Sequence, residues 1–431
     1  MNPKNSSPLV PSLRFPEFRE AGEWEEKSLG ETGELKNGIN FSADKKGSGI
    51  LTVDVLNMYS FGIETKLDSL YRVNVDIKDY LLKNGDILFV RSSVKREGVG
   101  WSSLFKGFSE PVLFCGFLIR LRLKSLRLTH PEFLLYYLRS DFGRQKIISV
   151  SGTAVITNIS QDSLKTINIP FPTLEEQQKI AACLSSLDEL ITAHSKKLDA
   201  LKKHKKGLMQ QLFPAEGQTV PSLRFPEFSE AGEWVEKLIE DFFLVGSSKR
   251  VLQENWTTQG VPFYRTRELV SLNKNEPFSS EIFISEELFC EIAKKYGLPA
   301  EGDFLVSGVG TLGISYQVKA GDRFYFKDGN VLWLKLKSSI VSTFFKYCFQ
   351  SDGIQNQILG QACISTVGTY TIQNAKTTKF FYPPKIAEQQ KIAACLSSLD
   401  ELITAHSKKL DALKKHKKGL MQQLFPVVGE D

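Results

Sequence analysis

Residues Gly308-Val309-Gly310-Thr311-Leu312-Gly313 have the spacing of a glycine-rich turn that brings backbone N–H groups up to a dinucleotide pyrophosphate. That chemistry needs a strand before the turn and a helix after it. Asp303–Val306 reads as a strand, but Ile314–Val318 reads as another, so the spacing predicts a hairpin with a glycine-rich tip. Other catalytic spacings are absent from the sequence: there is no GxxxxGK[ST] loop, no Asn-Pro-Pro-aromatic motif, no paired-carboxylate nuclease pattern, and no Ser/His/Asp or Cys/His set. The six cysteines form no CxxC pair. Four of the five histidines are the pairs His194/His204 and His406/His416, which lack metal-ligand spacing. The chain is therefore expected to be non-catalytic, with no metal and no cofactor of its own.

Recognition chemistry is better represented. Arg91-Ser92-Ser93-Val94-Lys95-Arg96-Glu97-Gly98 is a polar, basic loop after a strand. Arginine can bind guanine in bidentate fashion, and serine or lysine can meet bases or phosphates. In the second half of the chain Lys249, Arg250, Arg265 and Arg267 offer similar groups, with Thr311 at the glycine tip. The DNA-contact candidates are thus Arg91, Ser92, Ser93, Lys95, Arg96, Lys249, Arg250, Arg265, Arg267 and Thr311. Thr153, Asn158, Thr366 and Thr369 are weaker candidates in polar loops. The competing reading for each is a solvated loop. Lys196, Lys197, Lys202, Lys203, Lys205 and Lys206 make part of a helix basic, which a solvated helix face also explains. A net charge of +6 permits nucleic-acid binding without demanding it.

These groups are carried by a duplicated plan. Residues 176–214 and 388–426 are identical, a 39-residue stretch that recurs 212 positions later. Each copy carries a heptad seam. In the first it is Ile180, Leu184, Leu187, Ile191, His194, Leu198, Leu201, Lys205, Leu208 and Leu212. In the second it includes Ile392, Leu396, Leu399, Ile403, Leu410, Leu413 and Leu420. A helix with such a seam needs a partner, and the other copy is the evident one. The spacing thus predicts two equal coiled-coil rods acting as a spacer. An ordinary long core helix is the alternative. Val10–Trp24 and Val220–Trp234 form a second duplication, differing only at Arg19 and Ser229.

Between the repeats lie two blocks of dissimilar sequence, at about 25–174 and 235–387. Asp86–Arg91 and Val112–Leu121 have strand composition, and Pro131–Ile148 has helical spacing with proline at its first position. Landmarks recur in order: Gly85-Asp86 and Gly302-Asp303, Ser140-Asp141 and Ser351-Asp352, Pro170/Pro172 and Pro383/Pro384. One α+β fold used twice is expected. The divisions are a first block at 1–174, a spacer helix at 175–214, linker and second block at 215–387, and a second spacer helix and tail at 388–431. The 431 residues allow two to four domains. No apolar run approaches the length of a membrane span, and the first ten residues lack a secretory apolar core, so a cytoplasmic location is expected.

The combination resembles the specificity subunit of type I restriction–modification systems. The resemblance rests on the two-half layout and the Pro-x-x-x-Glu-Gln-x-x-Ile entry to each long helix. That entry is Pro172, Glu176, Gln177, Ile180 and again Pro384, Glu388, Gln389, Ile392. The Arg-Phe-Pro-x-Phe…Trp tags fit, as does Val155-Ile156-Thr157-Asn158-Ile159-Ser160. The second half departs from the pattern, reading Tyr370-Thr371-Ile372-Gln373 where Asn-Ile-Ser is expected. The resemblance implies two target-recognition domains separated by two antiparallel coiled-coil helices, a pseudo-twofold internal repeat. It also implies a bipartite, asymmetric double-stranded DNA target. The implied partners are methyltransferase subunits, two of them, using S-adenosylmethionine on adenine, and restriction subunits using ATP and Mg. A purely structural coiled-coil scaffold and a cofactor enzyme built on Gly308–Gly313 are the rival readings. Salt-dependent DNA binding separates the first from the second.

Overall fold

The computed structural model describes residues 9–60, 62–75, 78–152, 156–274, 276–362 and 368–427. Of the residues singled out above, Thr153, Val155 and Thr366 lie outside these. Two compact units are present, Met1–Lys197 with His406–Asp431, and Leu198–Ala405.

In the first unit a four-stranded antiparallel sheet runs in the order Gly33–Asn37, Leu118–Leu123, Asp86–Val90, Ser102–Phe105. A smaller sheet joins Tyr71–Val73, Lys46–Val53 and Val112–Phe114, the last pair being parallel. The expected single strand Val112–Leu121 is therefore two strands in two sheets. Cys115-Gly116-Phe117 turns the chain between them, closed by the Leu118 N–H on the Cys115 carbonyl at 3.0 Å. The expected helix Pro131–Ile148 is likewise two, Pro131–Arg139 and Asp141–Ser149. Ser140 leaves helical geometry at ψ 161° and caps the second helix through Gly143 N–H. Gly143 lets the two pack closely, since a Cβ there would fall 2.1 Å from the Tyr137 carbonyl oxygen.

The second unit repeats the plan. Its sheet order is Phe243–Ser247, Val331–Leu336, Phe304–Ser307, Ser315–Gln317. Its smaller sheet again ends in a parallel pair, Val261–Tyr264 with Tyr325–Phe326. Helices Thr266–Lys274 and Glu286–Tyr296 are additions of this unit. The recurring Gly-Asp pairs have a shared cause. Gly85 and Gly302 take φ of 92° and 89°, where glycine is favoured, and the following aspartate accepts a backbone N–H three residues back. Both aspartates are buried. Asp86 is held by Arg122, and Asp303 by Trp333 Nε1 and the Leu336 N–H.

The duplicated segments form the long helices Leu174–Leu212 and Ile386–Gln423. Inside the first unit the start of one runs antiparallel to the end of the other. Lys417 reaches Asp188 at 2.6 Å, and His194 faces His406 with Nδ1 atoms 3.2 Å apart. Inside the second unit Lys205 reaches Asp400 at 2.6 Å. Seam residues Ile180, Leu184, Ile191, Leu198, Ile392, Leu396, Leu399 and Leu410 are buried; Leu187, Leu201, Leu208, Ile403, Leu413 and Leu420 are half-buried. The polar interruptions are thus an ion pair and a histidine pair. Each aspartate also takes a tyrosine hydroxyl, Tyr136 on Asp188 at 2.8 Å and Tyr347 on Asp400 at 2.7 Å. These bonds tie helix to domain.

The helix-entry motif is a device for the same attachment. Arg14 grips both oxygens of Glu176 at 2.8 and 2.7 Å, and Arg224 grips both oxygens of Glu388 at 2.8 Å. Gln177 accepts the His130 N–H and donates to the Leu128 and Pro172 carbonyls; Gln389 accepts the Val341 N–H and donates to Pro383. One glutamine thus satisfies the start of a domain helix and the chain leading into the long helix. The tag tryptophans bury in the two cores, Trp24 against Phe133 and Phe425, Trp234 against Phe213 and Phe344.

Candidate nucleic-acid interface

In each unit the loops that carry the candidate residues lie at the end where the Gly-Asp strand finishes. In the first unit that strand gives way to Arg91. The Arg91 N–H donates to the Phe117 carbonyl at 2.8 Å, and its own carbonyl accepts from the Ile159 N–H at 2.9 Å. Ser92–Ser93 then pair with Thr157–Asn158. The returning end of the loop is held by Arg144, whose guanidinium donates to the Glu97 and Val99 carbonyls at 2.9 and 2.7 Å. With both feet fixed, Val94, Lys95 and Arg96 form an exposed tip, while Arg91, Ser92 and Ser93 are half-buried at its base.

At that base lies a cleft of about 790 Å³, lined among others by Asn37, Asn40, Arg91, Phe117, Asn158 and Gln161. Asn40 and Asn158 are exposed, and Phe117 is 62% exposed. Amide and guanidinium groups of this kind can satisfy the donor and acceptor edges of bases.

The second unit holds the same backbone with other side chains. The Gly308 N–H donates to the Asn330 carbonyl at 2.8 Å, and the Tyr370 N–H to the Gly308 carbonyl at 2.9 Å. Val309 bridges Thr369. Gly308 thus stands where Arg91 stands, Asn330 where Phe117 stands, and Thr369 where Asn158 stands. The glycine-rich segment joins two antiparallel strands, with Gly310 and Gly313 at φ 80° and 69°. No helix follows it, as the hairpin reading requires. Thr311 is exposed at this tip.

Lys249 and Arg250 are exposed beyond Phe243–Ser247, with the Lys249 backbone fixed by the Tyr325 hydroxyl at 2.7 Å. Arg265 and Arg267 are differently placed. Both guanidiniums grip Glu268, which is buried at 3% exposure, and Arg267 also meets Ser280. Burial alone would raise the Glu268 carboxyl. The hydrogen bonds from Arg265 and Arg267 outweigh it and hold the group below the usual range. Arg265 is thus engaged inside the protein and presents little of its fork outward. Lys205, one of the helix lysines, is spent in the Asp400 ion pair, whereas Lys196, Lys197, Lys202, Lys203 and Lys206 are exposed.

Sequence reasoning passed over Asn37, Asn40 and Phe117, because they reach Arg91 only through strand pairing. A weak signal existed: a glycine precedes the strand in both halves, Gly116 before Leu118 and Gly329 before Val331. Burial, then the nearby Asp54 charge, pushes the Cys115 thiol up to about 12, which leaves it un-ionised. Among the described residues no group of three or more His, Cys, Asp or Glu is placed to hold a metal ion, and no helix is long and apolar enough to cross a membrane.

The type I restriction modification DNA specificity domain matches residues 21–203 and again 231–415. A Methanocaldococcus jannaschii protein, provisionally named as the MjaX type I restriction enzyme specificity subunit, is 28% identical over 94% of this chain and 93% of its own length. The MjaVIII specificity subunit of the same organism is 24% identical over 96% of this chain and 93% of its own. In fold the chain resembles the crystal structure of the type I restriction–modification S subunit from M. genitalium. That match has a TM-score of 0.64 at 16% identity and covers 98% of this chain and 100% of that one. Two matches of the same domain, covering most of the sequence, assign the chain to the type I restriction–modification specificity subunits, with one DNA specificity domain in each half.

Proposed function

We propose that this chain reads a bipartite, asymmetric duplex-DNA target, one half-site for each of the blocks 1–174 and 215–387, and performs no chemistry itself. Methylation of adenine by two S-adenosylmethionine-dependent methyltransferase subunits, and ATP- and Mg-dependent cleavage by restriction subunits, would be done by its partners in the cytoplasm. The observation that carries this reading is the pairing of one backbone with two sets of side chains. Arg91, Phe117 and Asn158 in one unit answer to Gly308, Asn330 and Thr369 in the other. A conserved frame with different donor and acceptor groups suits two different base sequences. Lys95, Arg96, Lys249 and Arg250, all exposed, would meet phosphates around them.

The experiment is a methylation map of a host carrying this chain and its partners, repeated with the loop Arg91–Arg96 exchanged for another sequence. One half of the mapped target should change and the other half stay. Equal change in both halves would exclude a separate reader in each unit. The purified chain alone should neither methylate nor cut DNA, and should bind no nucleotide in a titration.

A further inference from the structure

Phe117 is an anomaly for a surface turn. The residue is 62% exposed, yet the backbone on both sides of it is tied by hydrogen bonds. Its carbonyl holds the Arg91 N–H, Leu118 closes the turn onto Cys115, and Ile39 bridges Cys115 from the neighbouring segment. Gly116 leaves room for the Asn40 amide against this turn, since a Cβ there would lie 1.8 Å from the Asn40 side-chain oxygen. Asn40 is thus laid directly over the turn, and Arg91 Nη1 reaches toward the Gly116 carbonyl at 3.5 Å. The outcome is an apolar ring on a rigid mount, ringed by amide and guanidinium groups. Most of its apolar surface stays in water on folding and is left to bury on binding.

We propose that Phe117 is a wedge that enters the base stack of the first unit's half-site, partly unstacking one step. Asn40, Arg91 and Asn158 read the base edges opened beside it. Apolar side chains inserted between base steps bend duplexes in this manner. The second unit has Asn330 at the same backbone position, half-buried, so it reads a stacked half-site. The target is therefore deformed at one half only. This inference rests on the DNA-reading function proposed above.

The test uses the full chain in complex with its methyltransferase subunits, and a duplex carrying the mapped target. 2-Aminopurine replaces adenines one at a time in both half-sites. The methylated adenines are omitted, because base-modifying enzymes extrude their target. With the native chain, fluorescence should rise at one position in the first unit's half-site. Phe117→Ala should abolish the rise and weaken binding on the order of tenfold, the size of an aromatic–base stack. Phe117→Trp should keep the rise; Phe117→Asn, which places the second unit's residue there, should lose it. Asn330→Ala should change no signal in the first half-site. Fluorescence that never rises in a complex that binds and methylates, or that survives Phe117→Ala, would sink the wedge while leaving DNA reading intact. A native complex that fails to shift the duplex in a gel would sink both.

Discussion

At the scale of single residues, the most consequential contacts are the two arginine–glutamate grips. Arg224 and Glu388 are 9% and 1% exposed, and their fork-to-fork geometry is completed by Arg224 Nη1 on the Gly232 carbonyl at 2.6 Å. Removing one member leaves a buried, unpaired charge. Glu388→Ala should destabilise the second unit by about 3–5 kcal/mol, and Glu176→Ala the first unit similarly. Replacing Arg224 and Glu388 together by apolar residues should recover most of that loss, which thermal unfolding of the single and double variants would reveal. The loop residues divide by a different measurement. Lys95→Ala and Arg96→Ala, at the exposed tip, should weaken DNA binding evenly across sequences and each flatten the dependence on salt by about one unit. Arg91→Ala, at the cleft, should cost about 1–3 kcal/mol at one half-site position and little elsewhere. If tip and cleft variants gave the same profile, the distinction between phosphate and base contacts would fail.

At the scale of elements, periodicity carried the long helices clearly, because a heptad is a local pattern that survives any tertiary detail. Its interruptions were legible as polar residues but not as partners. That His194 would meet its own repeat, His406, follows only from antiparallel pairing. The contact has a pH signature. Burial, then the positive charges of Lys197 and His194, disfavour the charged form of His406 and hold it below its ordinary 6.5. A histidine depressed in the folded state binds fewer protons there than when unfolded. Stability is then full above the unfolded value and declines as pH falls through about 6.5. His194→Asn with His406→Asn should flatten that decline between about pH 7 and 5, as followed by helix signal in thermal melts. Other elements were less legible. The helical spacing of Pro131–Ile148 runs unbroken through Ser140, so the break shows only once Ser140 is found capping Gly143. The apolar run at 112–121 hid a turn because Cys115 and Phe117 look like strand residues. Tyr370-Thr371 seemed to depart from Ile159-Ser160, yet Thr371 caps its helix as Ser160 caps its own, so a different letter does the same work. The cleft at the foot of the Arg91 loop was half legible. Arg91 announced itself by charge, while Asn40 and Phe117 arrive from a separate loop and turn, marked only by the glycine at 116.

At the scale of the whole molecule, the first unit is not closed by its own stretch of chain. It is completed by residues 406–426, whose Leu420, Met421, Leu424 and Phe425 pack into its core. The second unit takes Leu208, Met209, Leu212 and Phe213 from the end of the first helix in the same way. Since residues 194–214 and 406–426 are letter for letter the same, the piece that completes the first unit is also present at the end of the first half of the chain. A fragment of residues 1–219 therefore carries both a vacancy and the part that fits it, in a geometry that forbids filling its own. Two copies can exchange these ends. Asp188 of one would meet Lys205 of the other, as it meets Lys417 here, and two His194 rings would face across the dyad. The fragment should sediment as a homodimer and recognise an inverted repeat of one half-site, and Asp188→Lys should weaken the association. A folded monomer would show that identical helix faces are not interchangeable. On the function proposed above, half the length of a reader of an asymmetric sequence would be a self-complementary reader of a palindrome.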